Sequence, residues 1–468
     1  MKWVEKEVRN ADFGDKRIEQ RMEKVLNCLG GKPSCSIPQA CRGWSETIAS
    51  YRFFDNDKVT LEQVHKPHYE ATVERIIEQE IVLLPQDTTE LIKVINKGEK
   101  GLGTLKKTEK EEMFLHPVIA ITPERLPLGT VFMELWKRGE KKIRGEHATK
   151  PIEEKESYRW IEGYQAACDI QAQAQETLIV SIADREGDIY ELFIEMLDYV
   201  PSQRAEWIIR AAQNRLVEFE DETQRKLKEQ LEKSPILGET ELTIPARNGK
   251  PVRRIKQAIH AKTVTLKPPD RTRAIKGFKL PPISVNVVLA EEINPKKGEK
   301  PVTWLLLTSL PVNTFKQALT VLQWYTARWE IEIFFRVLKQ GCQIEKLQFE
   351  TEKRFAICLM LYMIIAWRIL YITLLGREYP NIDCEMVFDK QEWETLYIVE
   401  NQQRPPKEPP SLKMMIFILA KLGGFLGRKS DGFPGPQSIW IGLQRLKDFV
   451  WAIQRYQVAM AHSHKHGS

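Results

Sequence analysis

"TLIVSIADREGDIYELFIEML", Thr177 to Leu197, changes character at a single residue. Up to Ala183 it is a short run of mostly apolar residues, the signature of a buried strand. Past Asp184 the apolar residues recur at helical spacing. Asp184 therefore stands at the carboxyl end of a strand, where open α/β sheets gather their ligands. A second stretch repeats the arrangement: "EIVLLPQDTTEL", Glu80 to Leu91, has a short apolar run ending in Asp87. Two readings stand for such aspartates. They are turn or cap residues, or they belong to a site.

A third stretch, "YTARWEIEIFFRVLK", Tyr325 to Lys339, reads as a helix apolar on most sides, which predicts burial. At about 100° per residue, Arg328, Glu332 and Lys339 fall within roughly 60° of Tyr325, and Arg336 joins them. Unpaired buried charge is costly, so this stripe meets a salt-bridge network or a site. A helix packed at the strand ends can bring Glu332 to Asp87 and Asp184. Three converging carboxylates repel one another unless a cation joins them. Hard oxygen donors suit Mg²⁺ or Mn²⁺. Two such ions about 4 Å apart can activate a nucleophile and stabilise the leaving oxygen in phosphodiester cleavage.

Around these stretches the chain alternates. Residues 1 to about 65 read as two or three short helices, with Ser36 as a cap and Pro38 in a first turn. "MFLHPVIAITPERLPLGTVFMELW" reads as a hairpin, "RGEHATKPIEEKESYRW" as a mobile loop, "SYRWIEGYQAACDIQAQAQE" as a helix, and "EWIIRAAQNR" as a strand with Arg210 near its end. This is an α/β unit with a mixed sheet. From about Leu237 to Pro311 the pattern becomes β-rich around the turns "RNGK" and "NPKKGE". After Leu347 it is mostly helical.

The 468 residues exceed one ordinary core, and 42% hydrophobic content fits a globular protein. The net charge of +6 hides a local excess: Leu242 to Leu280 holds eleven Lys or Arg against Asp270 alone. Such a run suits a polyanion, or it is a solvated basic hairpin. Seven scattered cysteines without a CxxC pair argue for reduced thiols in a cytoplasm and against structural zinc. "FAICLMLYMIIAWRILYITLLG" is long enough to cross a bilayer, but Arg368 lies inside it, and a buried helix away from any membrane is the expectation.

Taken together, these residues resemble the bacterial cut-and-paste DDE transposases of the Tn-five type, within the insertion-sequence-four family. The resemblance rests on "QDTTEL", on "IADREGDIY", and on the spacing Tyr-x₂-Arg-x₃-Glu-x₆-Lys at Tyr325, Arg328, Glu332 and Lys339. "LAEEINPKKGEKPVTWLLLTSLPV" and "AKLGGFLGRKSDG" also look like family segments. The resemblance implies an α/β RNase H-like catalytic core with a β-rich insertion, plus N-terminal and C-terminal helical domains. It implies an end-binding domain at residues 1–65, a catalytic domain at 66–345 with the insertion at about 237–311, and a dimerisation region at 346–468.

By the same resemblance, Asp87, Asp184 and Glu332 hold two Mg²⁺, with Mn²⁺ as a substitute. Water attacks the transposon end, the freed 3′-hydroxyl makes a DNA hairpin, a second water opens it, and the 3′ end attacks target DNA. Tyr325, Arg328 and Lys339 would grip phosphates, with Arg336 on the same stripe. A flipped base would stack on Trp304 while Trp329 fills the vacated place, or both are core residues. Arg210 matches a DNA-contacting position, and Lys16, Arg17, Arg21 and Arg52 lie in the end-binding segment. The partners implied are double-stranded DNA, at both transposon ends and target, and a second copy of the chain. A DNA-binding inhibitor of transposition and a metal-dependent nuclease without transfer activity are the competing readings. Ala is common in the family where Gly187 stands, a mild change.

Overall fold

The computed structural model describes residues 2–97, 107–137, 151–218, 226–244, 252–269, 280–296 and 298–465. Five helices come first: α1 Lys2–Val8, α2 Lys16–Gly31, α3 Ile37–Cys41, α4 Trp44–Asp55 and α5 Leu61–Ile77. Their starts follow from local chemistry. Asp15 accepts a hydrogen bond from the Arg17 amide, and Ser36/Gln39 and Thr60/Gln63 form capping boxes.

The sheet follows. Strands β1 Ile81–Pro85 and β2 Thr89–Lys97 are two segments that both lie antiparallel to β3 Lys107–Ile121, with Asp87 at the break between them. β4 Pro127–Lys137 closes the expected hairpin. Helix α6 Arg159–Gln173 leads to β5 Leu178–Ala183, parallel to β1. The short α7 Tyr190–Glu195 leads to β6 Glu206–Arg210, parallel to β5. Residues alternate between two cores: Leu83 and Ile182 face one side, and Val82, Leu84 and Ala183 the other. Both faces are covered, which is why β1 and β5 read as unbroken apolar runs.

After α8 Leu227–Glu232 comes the β-rich stretch: β7 Gly238–Ile244, β8 Arg253–Leu266, β9 Ile283–Glu292 and β10 Thr303–Thr308. It does not form a separate sheet. β10 pairs antiparallel with β6, so the order runs β2-β3-β1-β5-β6-β10-β9-β8-β7 with β4 on the far side of β3. The "RNGK" turn, residues 144–150 of the expected mobile loop, and six of the eleven basic residues of the 242–280 run lie outside the described residues. Within them, Arg253 pairs with Glu292 and Glu299.

The expected single helix from Tyr325 is interrupted. It becomes the end of α9 Phe315–Ala327, a one-residue break at Arg328, α10 Trp329–Arg336, and a π-helical turn Val337–Gly341. A π turn has more residues per turn than the 3.6 on which the stripe was drawn, so Lys339 leaves the line of Tyr325 and Glu332. Its ammonium instead caps the Glu90 carbonyl on β2.

Helices α11 Glu352–Glu378, α12 Lys390–Asn401, α13 Leu412–Leu422 and α14 Pro436–Lys465 complete the chain. The long apolar segment is α11, and 89% of its most apolar window is buried within the protein. Arg368 inside it donates to the Val387 carbonyl and lies 4.8 Å from the Trp3 ring centre. One apolar core joins Leu26 of α2, Phe54 of α4, Ile182 of β5, Phe334 of α10, Met360 of α11 and Leu419 of α13. It crosses both expected domain boundaries.

A buried polar clamp reinforces that crossing. Glu7 of α1 accepts from Arg75 Nη1 at 2.8 Å and from His68 Nδ1 at 2.6 Å, both on α5. His68 Nε2 accepts from the Thr130 amide of β4, and Arg75 Nε donates to the Leu128 carbonyl. One neutral tautomer of His68 satisfies both of its contacts, and burial pushes its pKa below the ordinary value despite Glu7. Against the upward push of burial, His68 and Arg75 hold the Glu7 carboxylate below its usual range. Breaking such a pair strands a buried charge. Glu7→Ala is expected to cost about 3–5 kcal/mol, read as a lower urea midpoint of the whole chain, with Glu7→Gln costing less.

Candidate active site

Asp87 and Asp184 stand where neighbouring parallel strands end. Each follows its strand and turns the chain with its own side chain. Asp87 Oδ1 accepts from the Thr88 amide at 2.8 Å, and Asp184 Oδ1 from the Glu186 amide at 2.8 Å. Arg328, between α9 and α10, lies against this end of the sheet. Arg328 Nη1 donates to Asp87 Oδ2 at 2.6 Å, and Nη2 donates to Glu332 Oε1 at 2.9 Å. The structure thus brings Asp87, Arg328 and Glu332 into contact, and Asp184 is close enough for its charge to act on both Asp87 and Arg328.

Burial pushes the Asp87 carboxyl up to about 6. Arg328 pulls it the other way, while the charges of Asp184 and Glu332 add to the rise. Among the described residues no three His, Cys, Asp or Glu groups lie close enough to hold one ion as they stand. Arg328 is the physical reason, because its guanidinium occupies the ground between Asp87 and Glu332. The donor set still fits a hard divalent cation: three carboxylates, with a buried cation already supplying the counter-charge that their repulsion demands.

Beside the carboxylates lies an aromatic cluster. Trp304 of β10 meets Tyr325 edge-on at 5.9 Å and Trp329 at 6.1 Å. Trp304 and Tyr325 are buried, so in this state the rings pack on one another and present no open stacking face. Two polar atoms here have no hydrogen-bond partner despite burial: Tyr325 Oη and Arg328 Nε. Buried donors without acceptors are costly. Arg336 is exposed on α10, and Arg210 is half-buried at the end of β6.

The N-terminal basic residues lie apart from this cluster, on α2 and α4. Arg17 pairs with Asp15 and Arg21 with Glu46, while Lys16 and Arg52 are exposed. Gly187 is less tolerant than its mild-change reading. A Cβ there would lie 2.6 Å from Ala183 Cβ, in the turn that carries Asp184.

Several residues at the site left little trace in the sequence. Glu330 is buried on α10 and pairs with Arg125 in the β3–β4 turn at 3.4 Å. Gln86, Thr88, His116 and Arg159 form a polar group behind Asp87. The one visible signal was a single imidazole, His116, in the otherwise apolar "MFLHPVIAI".

The Asp87 shift has a sign. A carboxyl raised in the folded state binds its proton more tightly there than in the unfolded chain, so the metal-free protein gains stability as pH falls through about 6 toward 3.8. Asp87→Asn removes this dependence. In melts with chelator, the melting temperature of the variant minus that of wild type is expected to be positive at about pH 8 and to close toward about pH 4.

Comparison with known proteins bears on the whole arrangement. Among solved structures, the chain is similar to the piggyBac transposase synaptic complex with hairpin DNA. Identity is 8%, TM-score 0.33, and coverage 78% of this chain and 67% of that one, a likeness too loose to carry an argument. Family models match in succession along the chain: transposase DNA-binding over residues 1–59, transposase DDE domain over 175–368, and transposase Tn5 dimerisation domain over 364–464. The chain belongs to the DDE transposases of the Tn5 type, metal-dependent enzymes that cleave DNA and transfer its strands.

Proposed function

We propose that this transposase works by cut and paste, using Asp87, Asp184 and Glu332 as its metal-holding carboxylates, with two Mg²⁺ in place and Mn²⁺ as a substitute. The observation that carries the reading is the gathering of these three acids, from two strand ends and one helix, around Arg328. The strand order supports an RNase H-like core: β1, β5 and β6 run parallel, with β3 and β4 antiparallel on one side. Residues 1–65 bind the transposon ends, 66–345 carry the chemistry with 237–311 as the inserted strands, and 346–468 pair two copies.

Divalent ions held by such carboxylates lower the pKa of an attacking water and stabilise charge on a scissile phosphate. The chain's own groups do the rest. Arg328 exchanges its carboxylate partners for a phosphate, for which its planar fork is suited. The unpartnered Tyr325 hydroxyl gains an acceptor in the same move. Arg336 offers further positive charge on α10, and Arg210 does so at the end of β6; Lys339 joins them by releasing the Glu90 carbonyl. Separation of Trp304 from Trp329 would open a face for an extruded base, the strain relief that a hairpin intermediate requires.

The test uses linear DNA carrying the inverted repeats that flank the gene, with Mg²⁺. Hairpins and strand-transfer products support the reading. Nicks alone point to a plain nuclease, and binding without cleavage to an inhibitor. Glu332→Ala is expected to keep end binding in a gel shift while every cleaved product drops below detection. Hairpins formed by that variant at the normal rate would remove Glu332 from the metal site.

A further inference from the structure

We propose that Arg159 and His116 are positioning residues that set the two catalytic aspartates relative to each other through one continuous hydrogen-bond chain. The inference rests on the carboxylate assignment above. Arg159 of α6 is buried, and its guanidinium reaches both aspartate turns. Nε donates to Thr88 Oγ1 at 2.9 Å, directly after Asp87. Nη2 donates to Glu186 Oε2 at 2.7 Å, two residues past Asp184, and the Glu186 amide is the one that caps the Asp184 carboxylate. Nη1 fixes the guanidinium on the Glu156 carbonyl at 2.5 Å.

His116 of β3 grips both neighbours of Asp87. Its Nδ1 lies 2.9 Å from Thr88 Oγ1 and its Nε2 lies 3.1 Å from Gln86 Oε1. Gln86 Nε2 in turn donates to Ser181 Oγ of β5 at 3.0 Å. Donor and acceptor needs fix the direction. Thr88 accepts from Arg159 and donates its hydroxyl proton to Nδ1, leaving Nε2–H to donate to Gln86, which donates to Ser181. The neutral imidazole protonated at Nε2 satisfies every link. Burial of His116, reinforced by the Arg159 charge, disfavours the protonated form. Gly163, one turn beyond Arg159, makes the approach possible: a Cβ there would lie 2.3 Å from Gln86 Oε1. Asp87 is thus held on both sides and tied to the turn of Asp184.

Residues that orient metal-holding carboxylates are worth about 10- to 100-fold in metal affinity or activity. Arg159→Met in the full chain is expected to bind transposon ends as wild type does. Its single-turnover cleavage rate should fall about 10- to 100-fold, and its affinity for Mn²⁺, measured without DNA by calorimetry or by the free-ion paramagnetic resonance signal, should fall in the same range. Should that variant fail to fold, Thr88→Val removes the central hydroxyl and is expected to show the same two losses. Wild-type Mn²⁺ affinity and cleavage in a folded variant would overturn the inference. Asp87→Asn, run alongside, separates the failures. If it binds Mn²⁺ and cleaves normally, the carboxylate assignment itself has failed. If it is dead while Arg159→Met and Thr88→Val are normal, only the positioning role has.

Discussion

Three carboxylates gathered at one end of the sheet need a positive charge, and in this protein Arg328 supplies it between two of them. The ion pair between Arg328 and Asp87 joins groups 241 residues apart. It anchors the α9–α10 junction to the end of β1 and offsets charge that burial makes expensive. Arg328 itself keeps helical backbone angles between α9 and α10. It joins the two helices and faces two of the acids. The raised pKa of Asp87 shows that the compensation is incomplete, since burial and the other two acids outweigh the guanidinium. Stability is lower at this edge than packing alone would give, as at many functional sites.

Much of this was readable from local chemistry. Asp87 and Asp184 were visible because each ends a run too apolar to be anything but a doubly covered strand. Glu332 was visible because a charge four residues from Arg328 on an apolar helix has few places to go. Other features depend on contacts that no local pattern encodes. The π turn displaces Lys339 from a stripe drawn at 3.6 residues per turn. The strands β7–β10 read correctly as β structure, yet nothing in them specifies that β10 pairs with β6. β2 escaped notice because Thr89–Lys97 mixes charge with apolar residues, as a strand near an edge does.

The polar group behind Asp87 is the clearest case of what a linear reading loses. Gln86, His116, Arg159 and Ser181 come from three strands or their ends and one helix, and none is unusual in its own segment. Their meaning appears only when the chain of donors and acceptors closes without a leftover group. The same holds for Glu7, His68 and Arg75, where α5 bonds the buried carboxylate of α1 with one set of atoms and the backbone of β4 with another.

Helix α11, which packs against α2, α4, α5 and β4, also sets a schedule for synthesis. The apolar faces that α2 and α4 turn toward it are made about 300 residues earlier, as comparison of Gly31 and Asp55 with Glu352–Glu378 shows. At roughly 5–20 residues per second, those faces wait on the order of tens of seconds on the ribosome before their partner emerges. During that interval the nascent N-terminal helices lack part of their core and leave those apolar faces open to water.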